Sequence, residues 1–410
     1  MTRSNDSEID PLLEVGDEGP TIWKDRRLVE IDHVPDEDRI VSRDDELEMV
    51  AEHIRPVVNG GRPKSCMIYG KTGTGKSLIA KHMGERTESV AERKGLDLAY
   101  IYVDCSQDSS ETQCARRLVK GLCDKYEDVD ANRLDIKTPK TGVPAGYHYE
   151  NLWDILNEHF SSAIFVLDEI DKLETDDILM QLTRARESQK TDTRIGLVGI
   201  CNMIDYGKNL DMRVKSAFGR RDIIFSPYDA PQLQSILKQR LDAFADGVVT
   251  PGTIEKIAAL SAKEHGDARK AMDILLNAGD IANRKDDEQI TDQHVERARN
   301  KAEANRIEEM LKTFPVQAKC ILLAMAHLKD ESENGFDDGF KTSEIREVYT
   351  MLTEQEGYDP LSYQRMCDLM REMADLNFFA VDYTGGGKSE GSYKKYYLQV
   401  DSNVLQYVSI

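Results

Sequence analysis

Residues 70–77 have the sequence GKTGTGKS, which matches the phosphate-binding pattern G-x-x-x-x-G-K-[ST] at every fixed position. Glycines in this pattern let backbone N–H groups turn inward around phosphate oxygens, and the helix that begins after the loop adds its dipole. Lys76 is placed to reach the β- and γ-phosphates of a nucleotide, and the Ser77 hydroxyl to ligate Mg²⁺. An apolar run of strand type at residues 65–69 precedes the loop, and a helical pattern follows it. An ordinary glycine-rich turn does not require a strand before it and a helix after it. Because both are present here, the stretch predicts a P-loop.

A second motif, IFVLDEID at residues 164–171, has the pattern of a buried strand that ends in carboxylates. A carboxylate at such a strand end can hold Mg²⁺, and its neighbour can activate the attacking water. We therefore assign Asp168 to the metal and Glu169 to the role of general base. Together the two motifs predict ATP binding and, because Glu169 is present, ATP hydrolysis.

The segments around these motifs predict an α/β fold. Further apolar runs of strand type occupy residues 99–103, 163–167, 195–200 and 223–225, and helical patterns lie between most of them. Buried strands that alternate with helices predict a parallel sheet with both faces covered.

The strand-like runs stop after Pro227, and the rest of the chain predicts two more domains. Four helical patterns cover residues 230–244, 251–265, 267–283 and 291–310. Three more helices and a hairpin with a glycine-rich turn follow, which is the outline of a winged helix. The predicted organisation is an acidic tail (1–20), an α/β P-loop nucleotide-binding domain (21–226), an all-helical lid domain (227–310) and a C-terminal winged-helix domain (311–410).

Three polar residues outside the two motifs are further candidates for the nucleotide site. Their order along the chain is more informative than any one of them alone. Asn202 closes a strand-like run, where an amide could orient the attacking water. Arg213 could act as a finger for a neighbouring subunit, in competition with Arg220 and Arg221. Arg269 lies near the start of a predicted lid helix and could reach the γ-phosphate.

The composition, taken alone, argues against a nucleic-acid partner. The 410 residues contain 54 Lys and Arg against 75 Asp and Glu, a net charge of −21, whereas nucleic-acid binders usually carry a basic face. The chain has seven cysteines without a C-x-x-C pair, which predicts reduced thiols rather than a zinc site or disulfides. It has no apolar run of the roughly 20 residues that span a membrane, so we expect a cytoplasmic, nucleoid-associated protein without a membrane partner.

The order P-loop, Asp168-Glu169, Asn202, Arg213 and Arg269 resembles the AAA+ ATPases. A narrower resemblance, to the archaeal replication initiators, comes from four sequence motifs and the terminal winged helix. The motifs are VSRDDEL (41–47), IFVLDEID, LDMRVKSAF (210–218) and HGDARKAMDIL (265–275). The archaeal replication initiators are relatives of the eukaryotic origin recognition complex and of its helicase-loading partner.

The resemblance implies a slow, regulatory ATPase that binds double-stranded origin DNA, recruits and loads the replicative MCM helicase, and can self-associate on DNA. ATP or ADP and Mg²⁺ would be its cofactors, with Ser77 and Asp168 as metal ligands. By position in the family, Val41 and Arg43 would lie beside the adenine. The remaining nucleotide contacts would come from Gly70, Lys71, Thr72, Gly73, Thr74, Gly75, Lys76, Ser77, Leu78 and Arg269.

DNA contacts are implied in two regions. Residues 111–122 fall where the family inserts a DNA-touching segment, with Arg116, Arg117 and Lys120 as candidates, although a solvated amphipathic helix is the plain alternative. In the winged helix, Tyr363, Gln364 and Arg365 would begin the recognition helix, and the wing would contribute Lys388, Lys394 and Lys395. Wing lysines also occur simply to protect an exposed edge hairpin.

Two other functions stay open on the sequence alone. The chain could be an AAA+ loader or remodeller whose winged helix docks protein, or a regulatory relative that binds DNA without initiating replication. The acidity itself fits a halophilic cell, whose salty cytoplasm favours acidic, well-hydrated surfaces.

Overall fold

The computed structural model describes residues 22–30, 39–126, 129, 138–139, 142–203, 206–218, 222–312, 314–331, 339–385 and 392–405. The predicted acidic tail, residues 1–20, lies outside the described residues. The described chain forms two compact units, the first from Trp23 to Asp273 and the second from Ile274 onward together with Ile22. Each unit is described by itself.

The first unit is built on a five-stranded sheet. Its strands are β1 (Cys66–Gly70), β2 (Leu98–Asp104), β3 (Ser162–Asp168), β4 (Arg194–Cys201) and β5 (Asp222–Phe225). They pair in the order β2-β3-β4-β1-β5, and each neighbouring pair is parallel. The predicted parallel sheet is therefore confirmed, and the carboxyl ends of all five strands meet at one edge.

Helices pack around this sheet, namely α1 (Asp44–Ile54), α2 (Lys76–Arg93), α3 (Glu111–Lys125), α4 (Ala145–His159), α5 (Asp177–Arg184), α6 (Tyr206–Asn209) and α7 (Met212–Ala217). Three helices follow β5 along the chain, namely α8 (Ala230–Lys238), α9 (Pro251–Lys263) and α10 (Ala268–Arg284), and α10 crosses into the second unit. The helix predicted for residues 230–244 ends at Lys238, and a single 3₁₀ turn, Leu241–Ala243, follows it. This break directs the chain at Phe244 back to an isolated β-bridge with Trp23.

Both faces of the sheet are buried. Ile101, Phe165 and Leu167 belong to the apolar core on one face, and Ile164 and Val166 to the core on the other. Successive residues of one strand point to opposite faces. A strand covered on both sides therefore needs apolar residues at every position, which is why these strands appear as unbroken apolar runs in the sequence.

The second unit has the arrangement of a winged helix. Its helices are α11 (Asp292–Leu311), α12 (Val316–Glu331), α13 (Thr342–Gln355), α14 (Tyr363–Asp375) and α15 (Ser402–Leu405). Its strands are β6 (Phe340–Lys341), β7 (Phe379–Gly385) and β8 (Ser392–Leu398), which form an antiparallel sheet in the order β6-β8-β7. The predicted helices and hairpin are confirmed, whereas the two-residue strand β6 is too short to give a sequence pattern.

All seven cysteines are free thiols, as the absence of C-x-x-C pairs predicts. Burial raises the pKa of Cys66 on β1 to about 12, so this thiol stays protonated at physiological pH. Within the described ranges, no helix combines the length and the apolar character needed to cross a bilayer.

The centre of the sheet gives a stability prediction. Phe165 on β3 is fully buried, so Phe165→Ala leaves a cavity and should lower the free energy of unfolding by about 3–5 kcal/mol. Ile224→Ala on β5 is the control, because Ile224 is 53% exposed and its truncation should cost well under about 1 kcal/mol. Denaturant unfolding at matched salt measures both variants, and equal losses would contradict this account of the core.

Candidate nucleotide-binding site

The P-loop lies between the carboxyl end of β1 and the start of α2, and the Lys76 side chain folds back into it. The Lys76 Nζ donates to the carbonyl oxygens of Gly70 at 2.8 Å and Lys71 at 2.7 Å, and to the Asn202 Oδ1 at 2.9 Å. Burial lowers the pKa of Lys76, and the nearby Arg269 lowers it further while Asp168 opposes the shift. The Lys76 ammonium group is therefore hydrogen-bonded by the loop and by the end of β4, and its pKa is also affected by Arg269 at the start of α10.

Two loop glycines are needed because other segments approach too closely for a side chain. A Cβ on Gly73 would lie 1.7 Å from the Asp267 Oδ1, and a Cβ on Gly75 would lie 2.6 Å from the Tyr228 hydroxyl. Both glycines also have positive φ, +74° and +91°. The Ala268 N–H donates to the Gly73 carbonyl at 3.0 Å, which joins the first residue of α10 directly to the loop.

Asp168 is held by both of its carboxylate oxygens at the end of β3. The Glu169 N–H donates to its Oδ1 at 2.8 Å, and the Tyr102 hydroxyl donates to its Oδ2 at 2.5 Å. The Tyr102 hydroxyl also hydrogen-bonds the side chain of Ser77. Burial, and then the negative charge of Asp168, raise the pKa of Tyr102, so its hydroxyl keeps its proton. One tyrosine of β2 thus connects the two predicted metal ligands.

Glu169 follows Asp168 in a left-handed conformation with φ +54°, which is uncommon for a residue other than glycine. The Asn202 Nδ2 donates to the Glu169 Oε1 at 3.4 Å, and the Asn202 N–H donates to the Asp171 Oδ1 at 3.1 Å. Asn202 therefore contacts both Lys76 and Glu169, and its amide sets their relative position.

These residues line one cavity of ≈ 460 Å³ within the first unit. Of the predicted site residues, the cavity wall includes Val41, Arg43, Thr72, Gly73, Gly75, Lys76, Ser77, Leu78, Asp168, Glu169, Asn202 and Arg269. Gly70, Lys71 and Thr74 are not part of this wall. The first two contribute the carbonyls that hold Lys76, and the Thr74 hydroxyl donates to the Lys71 carbonyl at 2.8 Å.

Arg43 is buried, with 3% of its surface exposed, and lies at the start of α1. Its guanidinium donates to the Glu46 carboxylate at 2.5 Å and to the Ser226 carbonyl at 2.6 Å. It also lies 3.8 Å from the centre of the Tyr228 ring. Arg43 therefore builds the cavity wall by joining α1 to the segment after β5.

The cavity wall also has an apolar part, and sequence reasoning missed most of it. Ile40, Ile236 and Met272 line it together with Arg240. Arg240 is 7% exposed, its Nη1 has no hydrogen-bond partner, and burial lowers the pKa of Arg240. Arg240 follows Ile236 by four residues within the helix predicted for residues 230–244, and this spacing was the signal that could have placed both on one face, although the helix itself ends at Lys238.

Of the three candidates for an arginine finger, the structure describes Arg213. Arg213 is exposed on α7 and is not part of the cavity wall, and its backbone N–H is capped by the Asp211 Oδ1 at 2.7 Å. Arg220 and Arg221 lie outside the described residues.

The predicted DNA residues of the first unit lie on α3, which packs Leu118 and Leu122 into the core. Arg116 and Arg117 both lie near Asp108, with N–O distances of 3.8 and 3.6 Å. The Arg116 side chain is 14% exposed, whereas Arg117 and Lys120 are 48% and 44% exposed. Only the latter two present much of their side chain to a partner.

The predicted DNA residues of the second unit lie at the start of α14 and on β8. Tyr363, Gln364 and Arg365 form the first turn of α14, and all three are exposed. Lys394 and Lys395 lie on β8, where they pair with Tyr383 and Asp382 of β7. Lys388 lies outside the described residues.

Three family models match the chain. An AAA domain matches residues 60–202, a Cdc6 AAA+ ATPase-type lid domain matches residues 234–300, and a CDC6 C-terminal winged helix domain matches residues 309–408. The α/β P-loop core with a helical lid and a winged helix is thereby supported along the chain.

Relatives match over nearly the full length. The chain is 41% identical over 391 residues to ORC1-type DNA replication protein 17 of Haloarcula marismortui, which covers 95% of both chains. It is 40% identical to ORC1-type DNA replication protein 4 of Halobacterium salinarum, over 97% of this chain and 94% of that one. Among solved structures it resembles the Aeropyrum pernix ORC1 protein in complex with DNA, with 32% identity, a TM-score of 0.67 and coverage of 94% and 96%.

Proposed function

The chain belongs to the family of ORC1-type DNA replication proteins, and we propose that it is an ATP-dependent initiator that binds origin DNA and recruits and loads the MCM helicase. One observation carries the nucleotide part of this proposal. The P-loop, Asp168, Glu169, Asn202 and Arg269 line a single cavity, although they come from widely separated segments. That arrangement suits binding and hydrolysis of a nucleoside triphosphate.

Polar and apolar parts of the cavity wall would bind different parts of the nucleotide. The P-loop amides, Lys76 and Arg269 suit the phosphates, and the apolar wall around Val41 and Ile236 suits the base. Ser77 and Asp168 would hold Mg²⁺, because both present oxygen ligands to this cavity and share the Tyr102 hydroxyl as a partner. When bound, Mg²⁺ supplies neutralisation of phosphate charge.

Hydrolysis would depend on Glu169 and Asn202. The Glu169 carboxylate is the general base that takes a proton from the attacking water, and the Asn202 amide holds that carboxylate in place through the 3.4 Å contact. Lys76 would turn from the loop carbonyls to the β- and γ-phosphates. Slow turnover suits a protein that uses its nucleotide state as a switch.

The switch would act through the turn that precedes α10. Asp267 packs against Gly73, and Ala268 donates to the Gly73 carbonyl, so the position of α10 and the shape of the P-loop depend on each other. Arg269, the next residue, would bind the γ-phosphate, and hydrolysis would remove this contact. The finger for a neighbouring protomer would be Arg213, which is exposed, when the chain self-associates on DNA.

DNA would be bound mainly by the winged helix. The exposed first turn of α14 would enter the groove, and Lys394 and Lys395 of the wing would contact phosphates. Arg117 and Lys120 would add backbone contacts from α3. We retain the predicted domains 21–226, 227–310 and 311–410 as the nucleotide-binding, lid and DNA-binding parts, acting at the nucleoid.

A second function, loading or remodelling a protein, is favoured by one observation on α14. Its two arginines lie near acids of the same helix, with Arg365 3.7 Å from Glu372 and Arg371 3.3 Å from Asp368. Such pairs reduce the positive charge available to DNA phosphates. A regulatory relative that binds DNA without initiating replication is the third possibility.

Two substitutions test the nucleotide site. Lys76→Ala should weaken ATP binding about tenfold to a hundredfold, because hydrogen bonds from a charged donor are each worth about 1.5–3 kcal/mol. Glu169→Gln should bind ATP normally and hydrolyse it about 10²–10⁴-fold more slowly. Filter binding and phosphate release measure the two effects. Unchanged ATP affinity in the first variant, or normal hydrolysis in the second, would overturn the assignments.

Tyr102 gives a separate test of the metal ligands, because sequence reasoning did not include it. Tyr102→Phe removes only the hydroxyl that holds Asp168, so the Mg²⁺ concentration needed for tight ATP binding should rise about 10–100-fold while Mg²⁺-free binding stays the same. Tyr100→Phe is the control, because Tyr100 lies on the same strand but its hydroxyl donates to the Lys81 carbonyl. Equal Mg²⁺ dependence in both variants would remove Tyr102 from the site.

Fluorescence anisotropy with duplex DNA separates an initiator from a protein remodeller. We expect saturable duplex binding at roughly molar KCl, where a nonspecific attraction to phosphates is strongly weakened. Arg365→Gln should weaken it by about tenfold, as loss of a base contact does. Arg371→Gln, farther along the same helix, should change it little. If no duplex binds with or without ATP, the remodeller is the better proposal.

A further inference from the structure

The second unit contains a cavity of ≈ 390 Å³ between the start of α14, β6 and the wing. Its lining includes four tyrosines and two lysines, namely Tyr363, Tyr383, Tyr393, Tyr396, Lys341 and Lys394. None of the described residues that line it is acidic, although the whole chain has a net charge of −21. A concave site of this size, which we call the tyrosine cavity, is within the range of about 300–1,000 Å³ typical of small-ligand sites.

Cations lie over three of these rings. The Lys341 Nζ is 4.4 Å from the centre of the Tyr393 ring, and the Lys394 Nζ is 5.1 Å from that of Tyr383. The Arg346 guanidinium lies 5.3 Å from the Tyr363 ring. Each contact places a positive charge beside an aromatic face, which is the combination that binds a nucleobase and its phosphate together.

The rings differ in exposure, which gives the tyrosine cavity a floor and an open rim. Tyr396 is buried at 2% exposure and packs edge-on against Phe379, so it forms the floor. Tyr383 is 73% exposed and Tyr363 is 51% exposed. Large aromatic side chains held at a surface offer stacking area at a small cost in conformational entropy.

The concave shape decides between two forms of DNA. A protein that reads a duplex groove inserts a protruding element, and the stacked bases of a duplex cannot enter a cavity. An unpaired base can turn out of the strand and stack on an aromatic side chain. We propose that the tyrosine cavity binds an unstacked nucleotide of single-stranded DNA, with its base against Tyr383 and Tyr393 and its phosphate at Lys341 and Lys394.

This inference rests on the proposed DNA-binding function and deepens it. Contacts between lysines and phosphates weaken steeply as salt rises, whereas stacking of a base on an aromatic ring does not depend on released counterions. The tyrosine cavity would therefore hold a strand in a salt-rich solution in which a basic surface alone would release it.

The test uses the full chain and two labelled probes, a dT oligonucleotide and a blunt duplex, in anisotropy titrations at roughly molar KCl. Tyr383→Leu and Tyr393→Leu remove the stacking rings and keep apolar bulk. Each should weaken single-strand binding about fivefold to a hundredfold, since stacking is worth about 1–3 kcal/mol per base, and leave duplex binding within about twofold. Tyr358→Leu is the matched control, because Tyr358 is 40% exposed and lies outside the cavity wall.

The outcomes separate this inference from the proposed function. If the unsubstituted chain binds duplex and not the dT oligonucleotide, the initiator proposal stands and the single-strand site is wrong. Equal losses of both probes in the Tyr383 and Tyr393 variants would make the cavity part of a duplex interface, which also overturns the inference. Failure of the unsubstituted chain to bind either probe would reject DNA binding itself. Thermal unfolding of each variant distinguishes a lost contact from a lost fold.

Discussion

The P-loop is so crowded that its neighbours decide its shape. Asp267 occupies the space that a side chain on Gly73 would need, and the Tyr228 hydroxyl occupies the space that a side chain on Gly75 would need. Tyr228 in turn supports the guanidinium of Arg43. The loop therefore keeps its conformation only while the start of α1, the segment after β5 and the turn before α10 all stay in place. The phosphate-binding site therefore depends on contacts from three other segments of the first unit.

The fold was predictable wherever burial dictates residue type. Strands covered on both faces need apolar residues throughout, so β1, β3 and β4 were located within one or two residues. The short strand β6 was not predicted, because its two residues form a strand only through their pairing with β8. The break in the predicted helix of residues 230–244 also depends on tertiary packing, at the contact between Trp23 and Phe244.

The site was predictable where one short motif carries several functional residues and unpredictable where contacts cross the chain. Lys76 and Asp168 were found because their motifs are contiguous. Tyr102 and Tyr228 were not, since each has its partner, Asp168 and Arg43 respectively, in a distant segment of the chain. Tyr102 is separated from Asp168 by 66 residues, and no spacing rule links positions that far apart. Such residues position the motif residues, so their roles become visible only when the strands are placed side by side.

The hydrogen bonds of Lys76 have a consequence for ion selectivity. Three neutral oxygen atoms already satisfy this ammonium, so an incoming anion must exchange these bonds rather than fill an open site. A chloride ion carries one charge and offers little in that exchange, whereas a polyphosphate brings several charged oxygens that also reach the loop amides. A lysine held by the loop carbonyls and by Asn202 therefore favours a polyphosphate over a single halide ion.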